Sequence, residues 1–313
     1  MAIYDICCKM YFFREARIDA DFGAAAAMTL LKQMMREAWT SVRVPVMGIG
    51  VAVPGPFDYN SQRITLMSGF PGWDRIDIQR ELAEEFGIPV FMDHDAKCGA
   101  LAEMWHGVHR MSNNLLYICA DRGVGAGFIL DGKIYRGRTG FAGEIGHTSI
   151  NMFGPICECG NHGCLELYCS TNALEEEYRR EGFSLTDSPR TDVSRVTAKD
   201  ILRAVRGGDP LATRVYERVV SYLAFGAVNV VNSLNPEVLI FGDKMIEGGE
   251  LFIETARKVL RNYLLPEVYD NLILDVSTLE GDPMLLGASV LVFEELLNQP
   301  SQYFRGGQGA ASS

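Results

Sequence analysis

The sequence has no excess of basic charge. Its 29 lysines and arginines face 40 aspartates and glutamates, a formal net charge of −11 over 313 residues. Bulk electrostatics of that sign do not attract a phosphate backbone. Long apolar runs are also missing, and none approaches the roughly 20 residues that span a bilayer. The opening, MAIYDICCKM, lacks the basic and then apolar segments of a secretory leader. Nor are the 8 cysteines spread out like a secreted disulfide framework, since Cys157, Cys159, Cys164 and Cys169 crowd together. These absences point to a reduced, cytoplasmic setting with no membrane contact, in which clustered cysteines read as metal ligands. What remains is ordinary globular composition, 48% hydrophobic and 22% charged, with 32 glycines that imply many tight turns. The length allows two domains or one large one.

Strand and helix patterns alternate along the chain. Met10–Ile18 reads as an exposed strand and Phe22–Ser41 as a helix. Val46–Val53 is a continuous apolar run, expected to be a strand buried on both faces, and it stops at Pro54-Gly55-Pro56. A helix over Ile76–Phe86, a short strand over Pro89–Met92 and a helix over Lys97–Gly107 follow. The rhythm restarts with strands at Leu115–Ala120 and Gly127–Leu130. Asp131-Gly132 is then a two-residue hairpin turn into Lys133–Tyr135. After the irregular stretch His147–Cys164, helices are expected over Ala198–Arg206, Leu211–Leu234, Ile253–Tyr263 and Met284–Leu297, with a strand at Val238–Phe241. The pattern predicts a mixed α/β fold with two lobes and a ligand cleft between them. The small lobe is expected over 1–93, with helix 284–298 returning to it. The larger lobe is expected over 94–283, with the metal motif at 147–164 and a flexible tail at 304–313.

The strongest chemical signal is His147 followed by Cys157-Glu158-Cys159-Gly160-Asn161-His162-Gly163-Cys164. One imidazole and three thiolates suit tetrahedral Zn²⁺ in a closed, structural site. Spacing leaves His147 and His162 both open as the nitrogen ligand. Glu144 and Glu166 flank the motif and read either as hydroxyl acceptors for a sugar or as solvated surface carboxylates. Asp93-His94-Asp95 follows a buried strand, where an aspartate can be a general base or can cap the next helix. The segment from Arg122 to Gly127, with Gly123 and Gly125, could cradle phosphate through backbone N–H groups or form a plain hairpin turn. It is neither a dinucleotide fingerprint nor a P-loop.

In order along the chain, these motifs resemble the ROK family of repressors, open reading frames and kinases. The resemblance rests on Pro54-Gly55-Pro56, Gly69-Phe70-Pro71-Gly72-Trp73, Asp95 with Ala100-Leu101-Ala102-Glu103, Gly123–Gly127 and Asp131-Gly132-Lys133. It continues through Ala142-Gly143-Glu144-Ile145-Gly146-His147, the run from Cys157 to Glu166, Asn235-Pro236-Glu237 and Gly287-Ala288. It implies a two-lobed, actin-like fold of the hexokinase (ribonuclease H-like) superfamily. It implies zinc held by His147, Cys157, Cys159 and Cys164. It also implies a sugar held near Gly55, His94, Asp95, Glu144, His147 and Glu166, with Asp95 at the position of the catalytic base. His147 would then place one ring nitrogen on zinc and the other on a sugar hydroxyl. A homodimer or tetramer is implied as well.

Family members are sugar kinases or transcriptional regulators, and the departures from the family pattern favour a regulator. The opening Asp-x-Gly-x-Thr phosphate turn is absent. Either Asp5-Ile6-Cys7-Cys8-Lys9 replaces it, or Asp5–Lys9 matches a later hairpin and the first strand is missing, the register we prefer. The Gly-Thr-Gly turn reads Asp121-Arg122-Gly123, and the Gly-Gly of the adenosine side reads Gly242-Asp243. Nucleotide contacts near Arg122, Gly123, Gly125 and Gly242 are therefore expected to be degraded, while the sugar and zinc elements persist. Asn-Asp-x-Asn becomes His94-Asp95-Ala96-Lys97. Lys97 reads as a solvated helix residue or as a cation favouring an acidic or phosphorylated sugar. The expected function is sugar sensing in a ROK-type regulator, with DNA contacted only through a helix-turn-helix not seen in this sequence. The alternative is a glucokinase-like sugar kinase with Asp95 as base and Mg-ATP as donor.

Overall fold

The computed structural model describes residues 1–18, 20–65, 71–185 and 195–300. Gly69, Phe70 and the tail from residue 304 lie outside the described residues. The chain divides into two compact units. One contains Met1–His106, Gly137–Phe141 and the described residues from Leu279 on, and the other Gly107–Arg136 with Ala142–Thr278.

The first unit opens with an antiparallel hairpin, β1 (Ala2–Tyr4) and β2 (Met10–Phe13). Asp5–Lys9 forms its turn, and the Asp5 carboxylate holds it by accepting from Cys7 N and Lys9 N. Next come α1 (Ala24–Ser41), β3 (Ile49–Val53), the short pair β4 (Phe57–Asp58) and β5 (Arg63–Ile64), and α2 (Ile78–Phe86). Asp77 caps α2 at its start and left-handed Gly87 ends it, as the sequence chemistry of helix termini requires. β6 (Val90–His94) pairs in parallel with β3 and runs directly into α3 (Asp95–His106). Met28, Met35, Val53, Phe57, Leu82 and Met92 meet in the core of this unit.

The second unit is built on a five-stranded mixed sheet. β7 (Leu115–Ala120), β8 (Val124–Leu130) and β9 (Lys133–Ile134) are antiparallel neighbours. The expected Asp131-Gly132 turn joins the last two, with φ of 51° and 71°. Helices α4 (Glu166–Cys169), α5 (Thr171–Leu185), α6 (Ala198–Arg206) and α7 (Pro210–Leu234) follow. β10 (Val238–Gly242) then pairs in parallel with β7. After α8 (Glu250–Tyr263) and α9 (Pro266–Asn271), β11 (Ile273–Val276) pairs in parallel with β10. The chain ends its described part in α10 (Pro283–Asn298), which belongs to the first unit. A Cβ on Gly50 would lie 1.8 Å from Ala288 O, and one on Gly287 would lie 1.7 Å from Cys98 O. Glycine at both positions lets α10 lie backbone to backbone on β3 and α3.

Three expectations are corrected. The glycine-rich segment Arg122–Gly127 is not a loop throughout. Gly125 and Gly127 are paired with Cys119 and Tyr117 inside the β7–β8 ladder, which leaves Asp121–Gly123 as the turn. Helix α3 lies with the first unit rather than at the start of the larger one, because α10 packs along it. Lys97 is neither solvated nor open to a ligand. It is 1% exposed, and its Nζ donates to Gly140 O at 2.7 Å. Among the described residues no helix is long and apolar enough to cross a membrane.

Candidate functional site

The segment after β9 turns back against β8 at backbone distance. A Cβ on Gly143 would fall 2.0 Å from Ala126 O, and one on Gly146 would fall 2.3 Å from Val124 O. Glycine at both positions is therefore a condition for Glu144 and His147 to sit where they do. The chain next forms a knot held by isolated bridges, Ser149 to Cys164 and Ile156 to His162. Gly160 and Gly163 turn it at φ of 88° and 63°.

The knot brings four donors together. His147, Cys157, Cys159 and Cys164 place one ligand atom each within 4.8 Å of all the others. Cys159 Sγ lies 3.7 Å from Cys164 Sγ, and Cys157 Sγ lies 3.7 Å from His147 Nδ1. Tetrahedral Zn²⁺ with ordinary bond lengths has ligand edges of about 3.8 Å for S–S and about 3.6 Å for S–N, so the donor set and its spacing fit such an ion. Burial pushes the Cys157 thiol well up and raises Cys164 too. The structure decides between the two histidines: exposed His162 turns Nδ1 to Gly154 O, away from the cluster. Cys169 is buried one turn beyond, with Sγ on Leu165 O.

Glu166, the first residue of α4, reaches into the same cluster. Its Oε1 accepts from Cys157 Sγ at 3.0 Å and lies 3.3 Å from His147 Nδ1. Its Oε2 lies next to the Asp121–Gly123 turn, 3.7 Å from where a Gly123 Cβ would be. His147 and Glu166 thus lie together, with Glu166 reaching to that turn. Nothing in the local sequence pattern signalled that Glu166 touches two of the metal-ligating side chains.

In the first unit Asp95 stands at the carboxyl end of β6, as the first residue of α3. Its Oδ1 accepts from its neighbour Ala96 N at 2.6 Å and lies 3.3 Å from His94 Nδ1. Oδ2 has no partner among the described residues, and the side chain is 29% exposed, so one oxygen remains to accept a proton. His94 is buried, with Nδ1 facing Ala96 N at the start of α3. Gly55 takes φ of 79° between its two prolines.

The residues expected on the nucleotide side lie at the carboxyl ends of β7 and β10. Asp121 N donates to Gly123 O across the turn, and Asp121 Oδ1 accepts from Thr171 Oγ1 at 3.0 Å. Arg122 is part of that turn. Gly242 is pressed by Tyr117, whose hydroxyl would be 2.1 Å from an added Cβ. Asp243 adopts φ 68°, ψ −159°, a conformation that is essentially glycine's own. Sequence reading missed both Thr171 and Tyr117, because each acts from an element remote in the chain.

A mixed sheet joined to a glycine-turned knot of four possible metal ligands fits a two-lobed, actin-like α/β protein. The chain matches the ROK family over residues 25–295 and belongs to it. It is 33% identical over 258 residues to the xylose repressor of Caldicellulosiruptor bescii, a match covering 82% of this chain and 64% of that protein. The chain therefore spans just under two thirds of that repressor. It is 30% identical over 252 residues to the glucokinase of Thermotoga maritima, covering 79% of this chain and 80% of the enzyme. Among solved structures, a ROK family transcriptional regulator described as a homolog of the E. coli MLC protein superposes with a TM-score of 0.80. The identity is 26%, covering 93% of this chain and 74% of that one.

Proposed function

We propose that the chain is the sugar-sensing, effector-binding part of a ROK-type transcriptional regulator. The observation that carries this reading is Asp243, a side chain in a glycine-only backbone conformation at the edge where family kinases hold nucleotide. Phosphoryl transfer depends mostly on positioning and charge stabilisation of the phosphates. Acidic Asp121 in one turn and Asp243 in the other oppose both. The family's sugar-side carboxylates and histidine persist as Glu144, His147 and Glu166 in the second unit and Asp95 in the first, with Gly55 kept and His94 in place of the usual asparagine.

On this reading the cluster holds Zn²⁺ as a structural ion. His147 would hold such an ion through Nδ1 and keep Nε2 for a sugar hydroxyl, and Cys157 would hold it as thiolate and so no longer donate to Glu166. Glu166 Oε1 would then be free to accept from the sugar, which couples the two binding events. The protein acts in the cytoplasm, where its 8 free cysteines stay reduced. It assembles as a dimer or tetramer and leaves DNA contact to a helix-turn-helix.

Calorimetry of the zinc-loaded protein against neutral sugars, amino sugars and sugar phosphates tests the reading. Saturable binding to one class supports it, and no binding by folded, metal-loaded protein ends it. Asp95 supports a second reading, an ATP-dependent sugar kinase. Its Oδ2, without a partner among the described residues, is the oxygen a general base would use. Sugar-dependent ADP release from Mg-ATP, abolished in Asp95→Ala, would establish the kinase in place of the sensor.

A further inference from the structure

Several exposed apolar residues of the second unit are joined by contacts into one strip. The turn Asn151–Gly154 is closed by Gly154 N donating to Asn151 O at 2.8 Å, and Met152 and Phe153 stand at its tip. They are 72% and 87% exposed, and Ile156 just beyond is 71% exposed. The turn rests on Tyr168. Asn151 Nδ2 donates to the Tyr168 hydroxyl at 3.5 Å, and a Cβ on Gly154 would lie 2.3 Å from that oxygen. The Tyr168 ring packs against Tyr222 of α7, with centroids 5.1 Å apart. Phe225 stands three residues along the same face of α7 and meets Tyr263 edge to face at 5.3 Å. Exposed Leu265 follows just past the end of α8. Single exposed apolar residues are ordinary, but a connected patch marks an interaction surface.

Charge and area say what covers the strip. No Asp, Glu, Lys or Arg occurs from Ser149 to Cys157 or from Val219 to Leu234. The first half of α7 is different, with Arg214 and Arg218 paired to Glu181 of α5. The exposed Met10, Tyr11 and Phe13 of the first unit are also different, since Lys9, Arg14 and Glu15 flank them. Two copies of a chain with net charge −11 repel one another through charged faces. An uncharged face escapes that penalty, and it offers no counter-charge to a basic or an acidic partner. The exposed side chains of the strip present roughly 700 Å² of largely apolar surface, close to the 800 Å² or so per partner of a standard interface. We propose that this strip is the interface with a second copy of this chain, paired about a two-fold axis so that the same face is used by both. Phe153 and Tyr263 are its aromatic anchors. The proposal rests on the assembly stated above as part of the regulator reading and assigns that assembly a surface.

Sedimentation velocity of the full chain over a range of micromolar concentrations is the test. The wild type should run at twice the mass of one chain, or at a further doubling of it. Phe153→Glu and Tyr263→Glu should each weaken self-association by at least about thirtyfold, as the loss of an interface anchor does. Both side chains are exposed, so the fold should persist in each variant, with circular dichroism as the check. If one variant fails to fold, the other still decides. Phe13→Glu, an exposed aromatic of the first unit, should associate like the wild type. A wild-type monomer would overturn the proposal, as would Phe153→Glu and Tyr263→Glu chains that associate normally. A monomer that floats with phosphatidylcholine vesicles would overturn it in favour of a lipid surface. Calorimetry with sugars on the same samples keeps the two readings apart. A monomer that binds sugar ends this proposal alone, and a strip-dependent dimer that binds none ends the sensor alone.

Discussion

Two regions of the second unit face the same demand for glycine and meet it differently. In the metal region the demand is met by glycine itself. Gly143 sits at φ 101° with Ala126 O 2.0 Å from where a Cβ would be, and Gly163 at φ 63° with Asn151 O at 1.8 Å. At the carboxyl edge of β10 the demand is met by Asp243, at φ 68°. No backbone atom crowds the knot-side position of Gly160, which shows that φ and close approach are separate constraints there. Strain of the Asp243 kind costs about 1–3 kcal/mol, tolerable for a fold of this size. A Cβ driven into a carbonyl at 2 Å is not. Gly143 and Gly163 thus have no latitude, while the carboxyl edge of β10 has accommodated a side chain.

The comparison breaks most visibly if the metal region proves dispensable. Cys159→Ser should lose zinc by elemental analysis, lower Tm by about 10 °C or more and abolish sugar binding. Retained zinc or an unchanged Tm would remove the knot from the account. Next in size, Gly143→Ala should cost about 3 kcal/mol or more by urea unfolding, because φ and the Ala126 carbonyl both oppose it. Gly160→Ala, with open space around it, should cost only about 1 kcal/mol. Equal losses would erase the distinction between crowding and φ.

Metal affinity should also follow pH. Cys157 and Cys164 are raised by burial and must deprotonate to bind, so affinity rises with pH and falls as acid is added. A competition titration should show at least about tenfold weaker binding at about pH 6 than at about pH 8. Smallest, Asp243→Gly should stabilise the protein by about 1 kcal/mol as the strain is released. It should not create ATP binding, because Asp121 remains anchored to Thr171. Tight ATP binding by that single variant would shift the balance to the kinase.

Much of the frame was legible beforehand. The Asp131-Gly132 turn, α6, α7 and the VLIF strand lie close to where periodicity and turn chemistry put them, because each is a local consequence of local residues. The donor set for the metal was legible too, since three cysteines and two glycines in eight residues leave few other uses. Contacts between distant segments were not. Lys97 looked like a surface residue because its helix neighbours do not reveal that Gly140, far along the chain, supplies an acceptor. Glycine 125 looked like loop until its pairing with Cys119 placed it inside a ladder.

The order of most strands and helices and the three clustered cysteines were determined by the sequence alone. These follow from spacing, propensity and side-chain chemistry, which act within a few residues. The tertiary structure decided which histidine joins the cysteines and that Glu166 shares their cluster. It also decided that Asp121 is held by Thr171 and that Tyr168 meets Tyr222. Each of those depends on two segments brought together by packing, and no short-range rule contains that information.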